Sequence, residues 1–176
     1  ALRDCGRRVI MIEDCDWIGG QVTSQGVSAL DEHGLIETFG GTRLYGEFRS
    51  LVRAHYGGRK NPGGGWVSRL CFEPKVGLAV LLSMTRGIEI RLDTRIVSAS
   101  VSRGRVDSVT VAAKDGKTTV IAPAFVLDAT DTGDRAELRD LPDDLPLWKD
   151  IAATAETCLG QDCPRYSECF VTRVRQ

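Results

Sequence analysis

The chain is 176 residues long, enough for about one domain with a sizeable core. Residues 1–131 carry 17 basic and 15 acidic side chains, and residues 132–176 carry 6 and 9. Neither part offers the clustered Lys and Arg that a polyanion surface needs. No apolar run approaches the roughly 18 residues that span a bilayer, and residues 1–5 contain no signal-peptide core. Six cysteines without a secretory signal favour thiols or metal ligands over disulfides. The expectation is therefore a cytoplasmic chain without a membrane partner. Because it lacks a starting Met, the chain is expected to be truncated upstream.

Arg8-Val9-Ile10-Met11-Ile12-Glu13 is a short apolar run ending in an acid, which predicts a buried parallel strand. Residues 14–41 are rich in Gly, Ser and Thr and read as loop with one helical turn. Leu44, Phe48, Leu51, Val52 and Tyr56 fall at helical spacing over 42–56, and Gly57-Gly58 ends that helix. Asn61-Pro62-Gly63-Gly64-Gly65 is loop. Pro74 suits a first helical position, so a second helix runs from there to about Thr85. Ile88, Ile90 and Leu92 alternate as in a strand. Residues 96–102, 106–112 and 118–121 follow as a β-meander, separated by the turn signals Arg103-Gly104 and Asp115-Gly116. Phe125-Val126-Leu127-Asp128 predicts a last buried strand. Leu141-Pro142 and Leu145-Pro146 punctuate an acidic connector.

A carboxylate at the end of a strand, as at Glu13, can accept hydrogen bonds from ribose hydroxyls in a dinucleotide-binding fold. Gly19-Gly20 follows, where a backbone without Cβ atoms can approach a pyrophosphate. Taken alone, Glu13 reads as a solvated strand end and 63–65 as a plain loop. Trp17-Ile18-Gly19-Gly20-Gln21-Val22-Thr23-Ser24-Gln25-Gly26-Val27 resembles the segment after the second strand in a family of FAD-dependent oxidoreductases. Glu37-Thr38-Phe39-Gly40-Gly41-Thr42-Arg43 and the string from Asn61 to Pro74 resemble that family too. The resemblance covers 1–131. It implies an α/β chain with a partial Rossmann-type FAD-binding fold and a β-meander, and redox chemistry at a flavin on an unknown small-molecule substrate. By that resemblance Glu13 would hold ribose, Gly19 and Gly20 would line the pyrophosphate path, and Ala129 and Thr130 would sit near the cofactor. No G-x-G-x-x-G precedes Glu13, so the first strand and the glycine-rich cradle are missing and FAD affinity is expected to be poor. No catalytic residue emerges. Arg69 and His33 are polar candidates from loop context, while His33 and His55 read as surface residues before catalytic ones. Cys5, Cys15 and Cys71 are expected to be buried or half-buried thiols.

Cys158-x4-Cys163-x5-Cys169 places three thiols within twelve residues, and Gly160 and Pro164 bend the chain between them. Such thiolates can converge on zinc or an iron–sulfur cluster, although the spacing is not the common zinc knuckle. The stretch from Thr157 to Phe170 resembles the cluster segment of DinG-type ATP-dependent DNA helicases, and Thr132-Gly133-Asp134 with Leu141-Pro142 resembles their connector. This second resemblance covers 132–176. It implies a small irregular or helical Cys-rich segment, a [4Fe-4S] cluster on Cys158, Cys163 and Cys169, and DNA as a partner. No Walker A pattern is present, so ATP hydrolysis by that route is not expected. Cys71 is a remote candidate for a fourth ligand. Three readings follow: a flavoprotein fragment, the iron–sulfur segment of a helicase, or a junction product with no activity of its own.

Overall fold

The computed structural model describes residues 6–103 and 105–129. Cys5, Thr130 and the three clustered cysteines lie outside the described residues. The chain divides between Asp93 and Thr94 into two compact units. The described part is mixed α/β.

The first unit holds β1 (Ile10–Ile12), a 3-10 turn (Gly20–Val22), α1 (Arg43–His55), α2 (Pro74–Met84) and β2 (Glu89–Arg91). β1 pairs with β2 in parallel, Met11 opposite Ile90, and the Glu13 N–H extends the ladder to Arg91 O at 3.0 Å. The predicted strand is thus present and parallel. It is half-buried rather than buried. A parallel strand becomes fully buried when neighbours flank both edges and helices cover both faces. Among the described residues β1 has β2 alone as a neighbour.

Thr42 caps α1, its Oγ1 accepting the Tyr45 N–H at 3.2 Å. The helix stops where Gly57 and Gly58 take positive φ, their N–H groups returning to Ala54 O and Arg53 O. Its apolar stripe is narrower than the spacing suggested. Phe48 and Val52 are buried, but Leu51 is exposed. Pro74 opens α2 as expected, and Thr85 follows its end.

Phe48, Val52, Leu70, Phe72 and Val80 form the core of this unit, with the Phe48 and Phe72 rings edge to face at 5.8 Å. Leu70 and Phe72 flank Cys71, which makes an antiparallel bridge to Ala29. The Phe72 N–H donates to Ser28 O at 3.1 Å. The stretch Leu70-Cys71-Phe72, which the sequence assigned to no element, therefore lies in the core with residues of both helices.

The second unit is the expected antiparallel meander of β3 (Thr94–Ser102), β4 (Arg105–Ala113) and β5 (Thr118–Ile121). Val109 and Val111, two apart on β4, are its buried apolar face. At the Asp115-Gly116 turn the Lys117 N–H donates to Asp115 Oδ1 at 2.9 Å. The last predicted strand is absent. Residues 122–129 join no ladder, and Phe125 and Leu127 are exposed. An apolar run becomes a buried strand when another strand accepts its backbone bonds, and none of the described strands does so here. No described helix is long and apolar enough to cross a membrane.

The core assignment makes a direct prediction. Leu70→Ala should cost about 2–5 kcal/mol in urea unfolding, while Val67→Ala, at an exposed position, should stay within about 0.5 kcal/mol.

Candidate cofactor site and a buried charge cluster

Glu13 leaves β1 at its C-terminal end and is half-buried. Its Oε1 accepts the Cys15 N–H at 3.2 Å, which curls the following residues back around the carboxylate. Desolvation raises the Glu13 pKa above its ordinary value, partly offset by that backbone bond. Cys15 is exposed, which corrects the expectation of a buried thiol. Its place just beyond the strand end, in a two-strand sheet, leaves nothing to cover it. Desolvation and then the Asp14 charge push its thiol up, so the neutral form is favoured. Glu13, Asp14 and Cys15 bring their ligand atoms within 4.8 Å of one another. A thiol held protonated beside two acids is a poor soft-metal ligand. Cys71 is half-buried, as expected.

Gly19 and Gly20 sit at φ 108° and 51° and start the 3-10 turn. The Gly20 carbonyl gathers that turn, accepting from Thr23 N, Gln25 N and Ser24 Oγ. The buried Thr23 hydroxyl donates to Ile18 O at 2.6 Å. The two glycines differ in their surroundings. A Cβ on Gly19 would lie 2.5 Å from Leu81 Cδ1 of α2, whereas one on Gly20 would meet nothing within 4 Å. Gly19 is thus explained by close packing on α2, and Gly20 presents open backbone.

Glu13, Gly19 and Gly20 belong to the first unit. Ala129 belongs to the second, exposed and outside any strand. His33 is exposed and its Nδ1 accepts the Leu35 N–H at 3.1 Å, a local turn contact. Arg69 is exposed on the 61–71 loop. Asn61 closes that loop, donating to Gly65 O and Ser68 O and accepting from Cys71 N.

Sequence reasoning missed the most organised polar group among the described residues. Arg49, with a side chain 5% exposed, lies between two loop carboxylates and donates to both Glu32 and Glu37. Arg53 holds both oxygens of Glu37, at 2.8 and 3.0 Å, and its Nε reaches Lys60 O. The Tyr45 hydroxyl donates to Glu32 Oε1 at 2.5 Å. The Glu32 side chain is 2% exposed, and its Oε2 is buried with no hydrogen-bond partner. Burial and then the Glu32 carboxylate push the Tyr45 phenol up. Burial alone would lower the Arg49 pKa, but Glu32 and Glu37 outweigh it and raise it. The Arg53 bond, opposed by desolvation and reinforced by Arg49, brings Glu37 down from 4.5 to about 2. The signal was present in the sequence. Tyr45, Arg49 and Arg53 repeat every four residues, a polar stripe on one face of α1.

The comparisons with known proteins settle the class. The FAD dependent oxidoreductase family model matches residues 1–151, so this chain belongs to that family. Shorter likenesses point elsewhere. ATP-dependent DNA helicase YoaA of Haemophilus influenzae is 47% identical over 49 residues, covering 28% of this chain and 8% of the helicase. The YoaA helicase of Escherichia coli is 36% identical over 44 residues, covering 25% of this chain and 7% of that protein. The chain therefore spans under a tenth of the length of these two relatives. No solved structure matches.

Two outcomes test this geometry. Gly20→Ala should cost about 1 kcal/mol, the strain of a left-handed residue, and Gly19→Ala should cost clearly more in the same urea titration. Equal costs would remove the packing account of Gly19. Glu37 has a folded-state pKa below its unfolded one. Its contribution is therefore present above about pH 4.5 and lost as pH falls toward 2. Acid unfolding followed by circular dichroism should show a shallower pH dependence across that window in Glu37→Gln.

Proposed function

We propose that this chain is the flavin-binding part of an FAD-dependent oxidoreductase, built on a partial Rossmann-type fold. The observation that carries the reading is Glu13 at the C-terminal end of a parallel strand, followed by the left-handed Gly19-Gly20 turn. Family membership supports it coarsely. The residues fit the adenosine end of FAD: Glu13 offers a half-buried carboxylate to ribose hydroxyls, and Gly20 offers backbone with open space in front of it. They fit the pyrophosphate less well, because only a three-residue 3-10 turn follows β1 before α1. By the family resemblance, Ala129 and Thr130 are further candidates for cofactor contact. A bound flavin would supply a two-electron acceptor for substrate oxidation. The protein's part is to orient the adenosine through Glu13.

A second reading rests on the stretch that is 47% identical to a helicase. Here Cys158, Cys163 and Cys169 supply three thiolates to a [4Fe-4S] cluster in residues 132–176, and DNA is the partner. The two readings are compatible if the segments act independently.

Protein purified anaerobically should retain a flavin spectrum after incubation with FAD and removal of unbound flavin under the first reading, and should show iron with sulfide absorption under the second. A colourless protein that takes up neither would sink both. Glu13→Ala should weaken FAD binding about tenfold, the loss expected for a charge-assisted hydrogen bond, as read by flavin fluorescence titration. Unchanged affinity would remove the ribose role.

A further inference from the structure

We propose that Arg49 and Arg53 form an oxyanion-binding face on α1, which Glu37 of the 31–41 segment occupies as an internal stand-in, while Tyr45 holds Glu32 in place beside Arg49. The proposal is independent of flavin binding.

The donor set carries the chemistry. Two guanidinium groups four residues apart and a phenol hydroxyl lie on one helix face, and all three already hold carboxylates. Arg53 takes both oxygens of Glu37, the geometry that guanidinium uses for carboxylate and phosphate alike. The carboxylates are not equal. Glu32 is 2% exposed and stays as the counter-charge of Arg49, while Glu37 is 31% exposed and can be displaced.

The segment that supplies Glu37 is weakly held elsewhere. Its backbone bonds are local: Ile36 N to His33 O, and Thr38 N and Phe39 N to Leu35 O. Leu35 and Phe39 point outward, at 54% and 64% exposure, and so contribute little to burial. Gly34 lies at one end, and Gly40, at φ 93°, with Gly41 at the other, so both ends can pivot. An external carboxylate or phosphate that takes Arg53 and one arm of Arg49 would release Glu37 and lift 33–41 away from α1.

The test uses the full chain, with sodium pyrophosphate and sodium succinate as probes at matched ionic strength. Hydrogen exchange at the Ile36, Thr38 and Phe39 amides should be about tenfold faster in Glu37→Gln, the loss of a charged latch, while α1 amides stay protected. Affinity for pyrophosphate, succinate or both should rise about tenfold in Glu37→Gln and disappear in the double variant with Arg53→Gln. The probe that binds identifies phosphate or carboxylate as the ligand class. Arg53→Gln alone should speed the same three amides without gaining anion affinity. Unchanged affinity in Glu37→Gln, a gain that survives Arg53→Gln, or equal loss of protection along α1 would each overturn the proposal.

Discussion

The buried cation Arg49 organises the described part of the first unit. Arg49 is nearly sealed from solvent, and an isolated charge there would carry a large desolvation penalty. It is tolerable because Glu32 and Glu37 arrive from the loop before the helix. Those carboxylates can reach Arg49 only if residues 31–41 fold back along α1. The constraint therefore runs backwards from the helix to a segment that has no apolar anchor of comparable size. Replacing such a group by apolar residues often leaves stability unchanged, so the cluster is better understood as fixing one arrangement than as adding net stability. Turned one way, α1 buries Phe48 and Val52 in the core. Turned the other, it presents Tyr45, Arg49 and Arg53 to the loop. One helix thus joins two kinds of packing.

Glycine in this chain serves geometry before chemistry. Gly19 lies where α2 crosses the 18–23 turn, and Leu81 fills the space that a side chain would need. Gly63 and Gly65 lie against Cys71 in the same way. A glycine-rich string is thus ambiguous between a ligand cradle and a close crossing, and the surroundings decide. By that criterion Gly20 is the glycine of the pair with room for a ligand.

Much of the fold was legible because its signals are local. Thr42, Gly57, Pro74 and Gly116 end or begin elements through backbone chemistry that acts within a few residues. The β-meander was readable from alternation and turn residues alone. Burial was less legible because it depends on partners distant in sequence. The run at Phe125 has strand composition but no strand beside it, and Leu51 falls on the apolar spacing yet outside the core. The buried cluster was hidden for the same reason. The repeat of Tyr45, Arg49 and Arg53 marks a polar face on α1, but Glu32 and Glu37 are ordinary charged residues until the 31–41 segment folds onto it, and no local pattern names them as its partners. In the candidate cofactor site, the Glu13 strand end and the left-handed glycines were visible, while the packing that separates Gly19 from Gly20 was not.

The two likenesses of this chain are not laid end to end. The family match runs to residue 151, so only residues 152–176 lie beyond it. A helicase-like stretch of 49 residues cannot fit in that remainder and must reach back into the family match. Some residues are therefore read both ways. The string Thr132-Gly133-Asp134 suits either parent, and short polar strings of this kind carry little information about the fold they serve. Under the proposed iron–sulfur reading, three thiolates leave one position of a four-thiolate cluster open, so a donor must come from outside residues 158–169. Under the proposed flavin reading, the pyrophosphate must find its amide donors outside the turn at Gly20. Each chemistry therefore draws at least one contact from residues other than these.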